Sequence, residues 1–170
     1  MSTQHLDIET CIALDTDESC LVTGSRDSSV MVWDLFISSS KVSLQSVPRL
    51  QLFGHDDEVT AVAVNADIDV ILSASADNTC ILHSFCSGDY IRTIRPQGCG
   101  RLSKVSISPQ GDWAIYDSLN AALHLFTLNG TELRRVNLGY NLMAMTFAPV
   151  SEIIVIGGDN HAIEIRDSFT

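Results

Sequence analysis

An internal repeat is the feature that most constrains the fold of this chain. A segment of 14 residues occurs four times, and an aspartate or asparagine stands at the same place in each copy. The copies lie at 21–34, 71–84, 114–127 and 154–167, and their markers are Asp27, Asp77, Asn120 and Asn160. The markers are separated by steps of 50, 43 and 40 residues. A period of roughly 40–45 residues that contains only short strands is typical of β-propeller blades.

Short apolar segments within each repeat have the composition of strands. They are rich in Val, Ile, Leu and aromatic residues, and they are alternating or continuously apolar, as half-buried and buried strands are. Turn sequences such as Asn129-Gly130 separate them, because glycine supplies the positive φ that tight hairpins need. No segment of ten or more residues has helical periodicity. The predicted strands are 11–15, 20–25, 30–35, 50–53, 59–64, 70–75, 80–85, 90–94, 102–108, 113–118, 122–127, 132–138, 142–148, 153–158 and 162–167.

The sequence therefore predicts an all-β chain, a β-propeller with about four blades at 5–53, 54–95, 96–138 and 139–170. Most propellers have more blades, and an open ring exposes sheet edges that invite aggregation. We therefore expect residues 1–170 to be part of a larger propeller. The first repeat is the longest, and its surplus falls in the Ser-rich segment 37–48. We expect this segment to be a flexible loop on the rim.

Composition excludes several classes of function. The chain has 21 acidic and 10 basic residues and a formal charge of −11, which argues against nucleic acid as a partner. No apolar run approaches the ~20 residues of a membrane-spanning helix, so we expect no direct membrane insertion. No secretory signal is visible at the N-terminus, which favours the cytoplasm. The five cysteines are scattered without a C-x-x-C pair, so the sequence predicts no disulfide framework, no metal site and no cofactor.

A polar constellation accompanies the first two repeats. A histidine precedes each marker aspartate by 22 positions, a serine precedes it by two, and Trp33 or His83 follows it by six. The two sets are His5, Ser25, Asp27 and Trp33, and His55, Ser75, Asp77 and His83. Ser, His and Asp together resemble a hydrolase triad, but a triad is needed once and this set recurs. We therefore interpret it as a structural tetrad in which the Ser hydroxyl bridges the imidazole and the indole N–H, with no catalytic residue and no enzyme activity.

The tetrad resembles that of the WD-repeat family, and Trp33-Asp34 is the dipeptide that gives this family its name. The chain also resembles the C-terminal WD-repeat propeller of BEACH-domain proteins, the neurobeachin and lipopolysaccharide-responsive beige-like anchor group. The most specific features are His83 in place of the second tryptophan and the run Tyr90-Ile91-Arg92-Thr93-Ile94-Arg95-Pro96. Other matching segments are 22–27, 31–33, 54–55, 81–83, 88–89, 120–126, 129–130 and 165–167.

The resemblance implies a non-catalytic scaffold for vesicle trafficking and membrane protein sorting. Some members of that group also anchor a cyclic-AMP-dependent kinase. The implied partners are other proteins, including the BEACH domain and the kinase subunits of the full-length protein. The implied location is cytoplasmic and peripheral on endomembranes, through the full-length protein. A generic WD-repeat adaptor in a signalling or ligase complex is the alternative.

Loops that enter the first strand of each blade and loops that join its second and third strands gather on one face of a propeller. This geometry brings Arg26 close to the acidic residues Asp56, Asp57 and Glu58. The sequence predicts that this acidic rim binds a basic peptide or domain, since repeat proteins bind through such loops. A solvated acidic loop without a partner is the alternative.

Overall fold

The computed structural model describes residues 4–17, 19–38, 41–148 and 153–167, and within these ranges all regular secondary structure is β. The strands are β1 (Glu9–Leu14), β2 (Cys20–Ser25), β3 (Val30–Ser38), β4 (Lys41–Leu44), β5 (Leu50–Leu52), β6 (Val59–Asn65), β7 (Val70–Ser75), β8 (Cys80–Ser84), β9 (Tyr90–Ile94), β10 (Leu102–Ile107), β11 (Trp113–Asp117), β12 (Ala122–Phe126), β13 (Glu132–Asn137), β14 (Leu142–Phe147), β15 (Ile153–Gly158) and β16 (Ile163–Asp167). The predicted all-β class is confirmed.

The strands form four antiparallel meanders, which are the four blades. Blade one is β1-β2-β3 with β4 and β5 both paired to β3. Blades two and three are the four-stranded sheets β6–β9 and β10–β13. The described part of blade four has three strands, β14–β16. This arrangement confirms the prediction of a partial WD-repeat propeller.

The first strands of the blades lie side by side, with β6 between β1 and β10, and β10 also against β14. Each of them carries a β-bulge at the same register position, so one extra residue of the strand is left without a partner in its own sheet. In blades one and two this residue is a threonine. Thr10 donates its hydroxyl to the carbonyl of Val59, and Thr60 donates to that of Leu102 at 2.8 Å. The bulge hydroxyls thus link each of these blades to the next.

The core lies between blades because both faces of the central strands are buried. In β7, Ile71 packs with Val22 of blade one, and the adjacent Leu72 packs with Trp113 and Ile115 of blade three. The same alternation joins blades three and four through the cluster that contains Tyr116, Leu123, Ile154 and Ile156. Full burial of such a side chain stabilises the fold by about 1.5–3 kcal/mol. The opposite face of blade four is exposed, and Ile163 and Ile165 are 79% and 70% accessible.

The Ser-rich segment 37–48 differs from the prediction. The third strand continues to Ser38, and β4 pairs with it from Leu35↔Leu44 to Ser38↔Lys41. A flexible loop is therefore wrong for 37–38 and 41–44, which form a hairpin extension. Residues 45–48 have no regular secondary structure, and residues 39 and 40 lie outside the described residues. The alternation of Lys41-Val42-Ser43-Leu44 is the strand pattern that the serine content concealed.

No helix in the described ranges is long and apolar enough to cross a membrane.

Candidate functional site

The turn between the second and third strands carries a carboxylate that binds the segment before the first strand. We call this segment the approach loop; it comprises residues 5–8, 55–58, 98–101 and 139–141 in the four blades. In blade two, Asp77 Oδ2 accepts the backbone N–H of Asp56 at 2.9 Å. Its Oδ1 accepts the backbone N–H of Thr79 at 2.7 Å and the Thr79 hydroxyl at 2.5 Å. One carboxylate thus holds both the approach loop and the turn.

Blade one repeats this geometry. Asp27 Oδ2 accepts the N–H of Leu6 at 2.6 Å, and Asp27 Oδ1 accepts both the N–H and the hydroxyl of Ser29 at 2.9 and 2.5 Å. The imidazole of His5 has Nδ1 2.9 Å from the Ser29 hydroxyl and 3.4 Å from Asp27 Oδ2. The backbone and the imidazole of the approach loop are therefore both bonded to the hairpin turn.

The hydroxyl that bridges imidazole and indole belongs to Thr23, not to the predicted Ser25. Thr23 Oγ1 lies 2.8 Å from His5 Nε2 and accepts the Trp33 indole N–H at 2.9 Å. Ser25 instead donates to the backbone carbonyls of Asp7 and Ile8. The strand register is the reason: Trp33 pairs with Leu21, so Thr23 is its diagonal neighbour on the same face of the sheet, whereas Ser25 lies two residues further, at the strand end.

The same correction applies to blade two. Ser73 Oγ lies 2.9 Å from His55 Nε2, whereas Ser75 donates to the backbone carbonyl of Asp57. His83 occupies the position of the tryptophan, buried and edge-on to Tyr90 with ring centroids 6.1 Å apart. Its Nδ1 has no hydrogen-bond partner among the described residues.

Burial and hydrogen bonding shift the pKa values of this network. Burial lowers the pKa of His55, and the nearby Asp77 only partly offsets this effect, so the neutral imidazole is favoured. Burial alone would raise the pKa of Asp77, but the hydrogen bonds from Thr79 and from the backbone of Asp56 lower it overall. The network therefore contains an ionised carboxylate beside a neutral imidazole.

In blade three, the carboxylate that binds both the approach loop and the turn belongs to a residue at a different position of the repeat. Asp117, the last residue of β11, accepts the backbone N–H groups of Gly100 at 2.9 Å and Arg101 at 3.1 Å from the approach loop. It also accepts the N–H of Leu119 at 3.0 Å within the turn. Asn120, at the marker position, is exposed and donates its amide to Asp117. In blade four the two tasks are divided between Asp159, which binds the approach loop, and Asn160, which binds the turn.

A thiol, an imidazole and two carboxylates meet in blade three. His124 lies on β12 and is fully buried; its Nε2 is 3.4 Å from Cys99 Sγ, and its Nδ1 is 2.8 Å from Glu132 Oε1. Asp117 offers a carboxylate oxygen within 4.8 Å of both Cys99 Sγ and a ring nitrogen of His124. Burial raises the pKa of Cys99 to about 11, with a further rise from Asp117. No motif in the sequence indicates this cluster, since Cys99, Asp117 and His124 are 18 and 7 positions apart. The fold brings them together, with Asp117 and His124 on the paired strands β11 and β12.

The predicted acidic rim of Asp56, Asp57 and Glu58 is only partly free, because one of its three carboxylates is paired with arginines. Glu58 is bound by two cations, with Arg26 Nε at 3.3 Å and an Arg101 guanidinium nitrogen at 2.8 Å. Asp56 and Asp57 are exposed. The rim therefore presents two solvated carboxylates beside an arginine-bound glutamate.

Next to Glu58 is a groove of about 460 Å³ between the first strands of blades one, two and three, which we call the inner groove. Its charged residues are Arg26, Glu58, Arg101 and Lys104, and hydroxyl groups from Thr10, Thr60, Ser103 and Ser118 complete the lining. Three cations and one anion make this groove locally positive in a chain whose formal charge is −11.

Comparison with known proteins places this chain in a family. A family model described as the neurobeachin beta propeller domain matches residues 1–170. BEACH domain-containing protein B of Arabidopsis thaliana is 29% identical over 181 residues, which cover 98% of this chain. BEACH domain-containing protein lvsE of Dictyostelium discoideum is 32% identical over 133 residues, 76% of this chain. A putative neurobeachin homolog of Caenorhabditis elegans is 29% identical over 178 residues, 97% of this chain. The chain spans only 6–7% of the length of these relatives.

Proposed function

Because the chain belongs to the neurobeachin β-propeller family, we propose that it is the protein-docking propeller of a BEACH-type protein that acts in vesicle trafficking and membrane protein sorting. Propellers of this kind are typically non-catalytic interaction domains. The observation that carries the proposal is the inner groove, a positively charged recess at the first strands of three blades. The trafficking role, the anchoring of a kinase and a peripheral location on endomembranes rest on the resemblance to BEACH proteins.

The inner groove fits an acidic protein segment. Arg26 and Arg101 are 56% and 62% exposed at the side chain, so their ion pairs with Glu58 contribute little to stability. A carboxylate of a partner can therefore replace Glu58 at small cost. The Lys104 ammonium and the Ser103 hydroxyl, both half-buried, supply further donors in the groove. Charge complementarity of this kind accelerates association and selects the partner more than it raises affinity.

The exposed pair Asp56 and Asp57 supports a second site for a basic segment on the same rim. The two sites require partners of opposite charge, so paired variants distinguish them. Arg26→Gln with Arg101→Gln removes two cations from the groove. Asp56→Asn with Asp57→Asn removes two anions from the rim and leaves the backbone N–H of Asp56 free to bind Asp77.

Binding of fluorescent peptides to the purified chain tests the groove. We expect a glutamate-rich peptide to bind with an affinity that falls steeply with salt, and the arginine double variant to weaken it at least about tenfold. Arg95→Gln with Arg135→Gln is the matched control, since both are exposed and make the same charge change outside the groove. Equal binding by the groove variant and the control would contradict the groove as the site.

Proximity labelling in cells tests the trafficking role. With the full chain as bait, we expect vesicle-coat and sorted membrane proteins among the labelled proteins, and their loss in the arginine double variant. Labelling of only soluble signalling or ligase components would favour the generic adaptor.

Direct binding assays with a purified BEACH domain and with regulatory subunits of a cyclic-AMP-dependent kinase test the two named partners. The absence of binding to either one would exclude it as a partner.

A further inference from the structure

We propose that Cys99, Asp117 and His124 form a zinc-binding site in blade three. Their ligand atoms, one thiol sulfur, one carboxylate oxygen and one imidazole nitrogen, lie within 4.8 Å of one another. These are the three donor types that Zn²⁺ takes from proteins. The site is independent of the inner groove and of the proposed docking function.

The distances fit a small tetrahedral ion. Zn–S and Zn–N bonds of about 2.3 and 2.0–2.1 Å place neighbouring donors about 3.3–3.8 Å apart. Cys99 Sγ and His124 Nε2 are 3.4 Å apart, so this edge of the tetrahedron has its final length already. The donor separations that involve Asp117 are at most 4.8 Å, so its carboxylate needs to approach by about 1.5 Å at most. Water completes the fourth position, and the thiol proton leaves to solvent on binding.

Glu132 provides a second, independent indication. A metal-binding histidine almost always donates its other ring N–H to a carboxylate or carbonyl, which fixes the ring and leaves the remaining nitrogen free for the metal. His124 has this arrangement, with Nδ1 2.8 Å from Glu132 Oε1 and Nε2 directed at Cys99. Glu132 is thus a positioning residue for the site.

The location gives the metal a structural task. Cys99 belongs to the approach loop, Asp117 ends β11, and His124 lies on β12. In blades one and two an imidazole from the approach loop makes the equivalent connection to the hairpin, through His5 and His55. A zinc ion at this place would connect the same three elements in blade three by coordinate bonds.

Cobalt titration of the purified, reduced full chain tests the proposal. We expect one Co²⁺ per chain, a thiolate-to-cobalt charge-transfer band in the near ultraviolet, displacement by Zn²⁺ and a higher melting temperature with Zn²⁺. Cys99→Ser and His124→Gln should each remove the band. Cys86→Ser and His161→Gln, at exposed positions of blades two and four, are the matched controls and should retain it.

Glu132→Gln should keep the spectrum and lower the affinity about 10–100-fold, since it removes only the positioning carboxylate. Cys99→Ser alters a single atom at a partly exposed position, so its circular dichroism without metal should match that of the parent chain. The absence of a charge-transfer band, or a band of equal intensity in the Cys99→Ser variant, would overturn the proposal and leave a thiol–imidazole hydrogen bond in its place.

Discussion

Blades two and three join their approach loops to their hairpins with different residues. In blade two the carboxylate is Asp77, in the middle of the turn, and the imidazole of His55 comes from the approach loop. In blade three the carboxylate is Asp117, at the end of the second strand, and the imidazole of His124 comes from the third strand. Both blades have a hydrogen-bonded connection between the approach loop and the hairpin, but the residues that make it stand at different positions of the aligned repeats. In blades one to three a single carboxylate satisfies backbone donors of both segments, and in blade four Asp159 and Asn160 divide this task.

Removal of this acceptor should have the largest effect. We expect Asp77→Ala and Asp117→Ala each to lower the free energy of unfolding by about 2–4 kcal/mol, because several backbone N–H groups lose their acceptor in one step. Urea unfolding of the full chain measures the effect.

Asn120→Ala is the matched control in blade three. It changes the residue that aligns with Asp77, and it should cost less than about 1 kcal/mol because Asn120 is exposed and only donates, to Asp117 and to the carbonyl of Gly98. A larger loss of unfolding free energy in Asn120→Ala than in Asp117→Ala would contradict this account. It would show that blade three depends on the residue at the repeat marker and not on the carboxylate of Asp117.

The glycines Gly24 and Gly157 provide a second contrast, between a packed blade and the exposed blade four. They stand at the same register position, since Gly24 pairs with Val30 and Gly157 with Ile163 across equivalent hairpins. A Cβ on Gly24 would lie 2.6 Å from Val59 Cγ1, whereas one on Gly157 would have nothing within 4 Å. We expect Gly24→Ala to destabilise by about 1–3 kcal/mol and Gly157→Ala to be close to neutral. Equal effects by thermal unfolding would contradict the described packing of blades one and two.

Much of this fold could be predicted from the sequence. The strands 20–25, 70–75, 90–94 and 153–158 match their predicted bounds, because apolar alternation and turn glycines specify local structure directly. The bridging role of Thr23 could not be predicted so easily. Two hydroxyls lie two positions apart on β2, and only the placement of Trp33 on the neighbouring strand decides between them. Asp117 was missed for a similar reason: the marker alignment continued to Asn120, while the acceptor of the blade moved to the strand end.

Thr23→Val tests the corrected bridge. It keeps the side-chain volume and removes the hydroxyl between His5 and Trp33, so the indole N–H loses its acceptor. We expect a loss of about 1–2 kcal/mol by urea unfolding and a shift of the Trp33 indole proton resonance. Ser25→Ala should leave that resonance in place, since Ser25 bonds only to backbone groups. Movement of the resonance in Ser25→Ala alone would restore the original prediction.

A moderate decrease in pH should change the stability of the chain less than these substitutions do. Burial lowers the pKa of His55 below its ordinary 6.5, so the unfolded chain binds this proton first. Stability should therefore be level above about pH 6.5 and fall below it, by at most about 1.4 kcal/mol per pH unit from this group. The contribution of Asp77, whose pKa is lowered from 3.8, should be lost only below about that pH. His55→Gln should make the decrease below about pH 6.5 less steep, and the rest of the decrease comes from the buried His83, whose pKa is also lowered by burial. An increase in stability of the parent chain as the pH falls below 6.5 would contradict the assignment of a neutral imidazole.

The most direct test asks whether Asp117, and not Asn120 at the repeat marker, connects the approach loop of blade three to its hairpin. The measurement is amide hydrogen exchange by NMR on the parent chain and on Asp117→Ala. We predict that the N–H groups of Gly100 and Arg101 lose their protection in this variant, while the N–H of Asp56, bound by Asp77, keeps it. Retained protection at Gly100 and Arg101, or its loss in Asn120→Ala instead, would contradict the account.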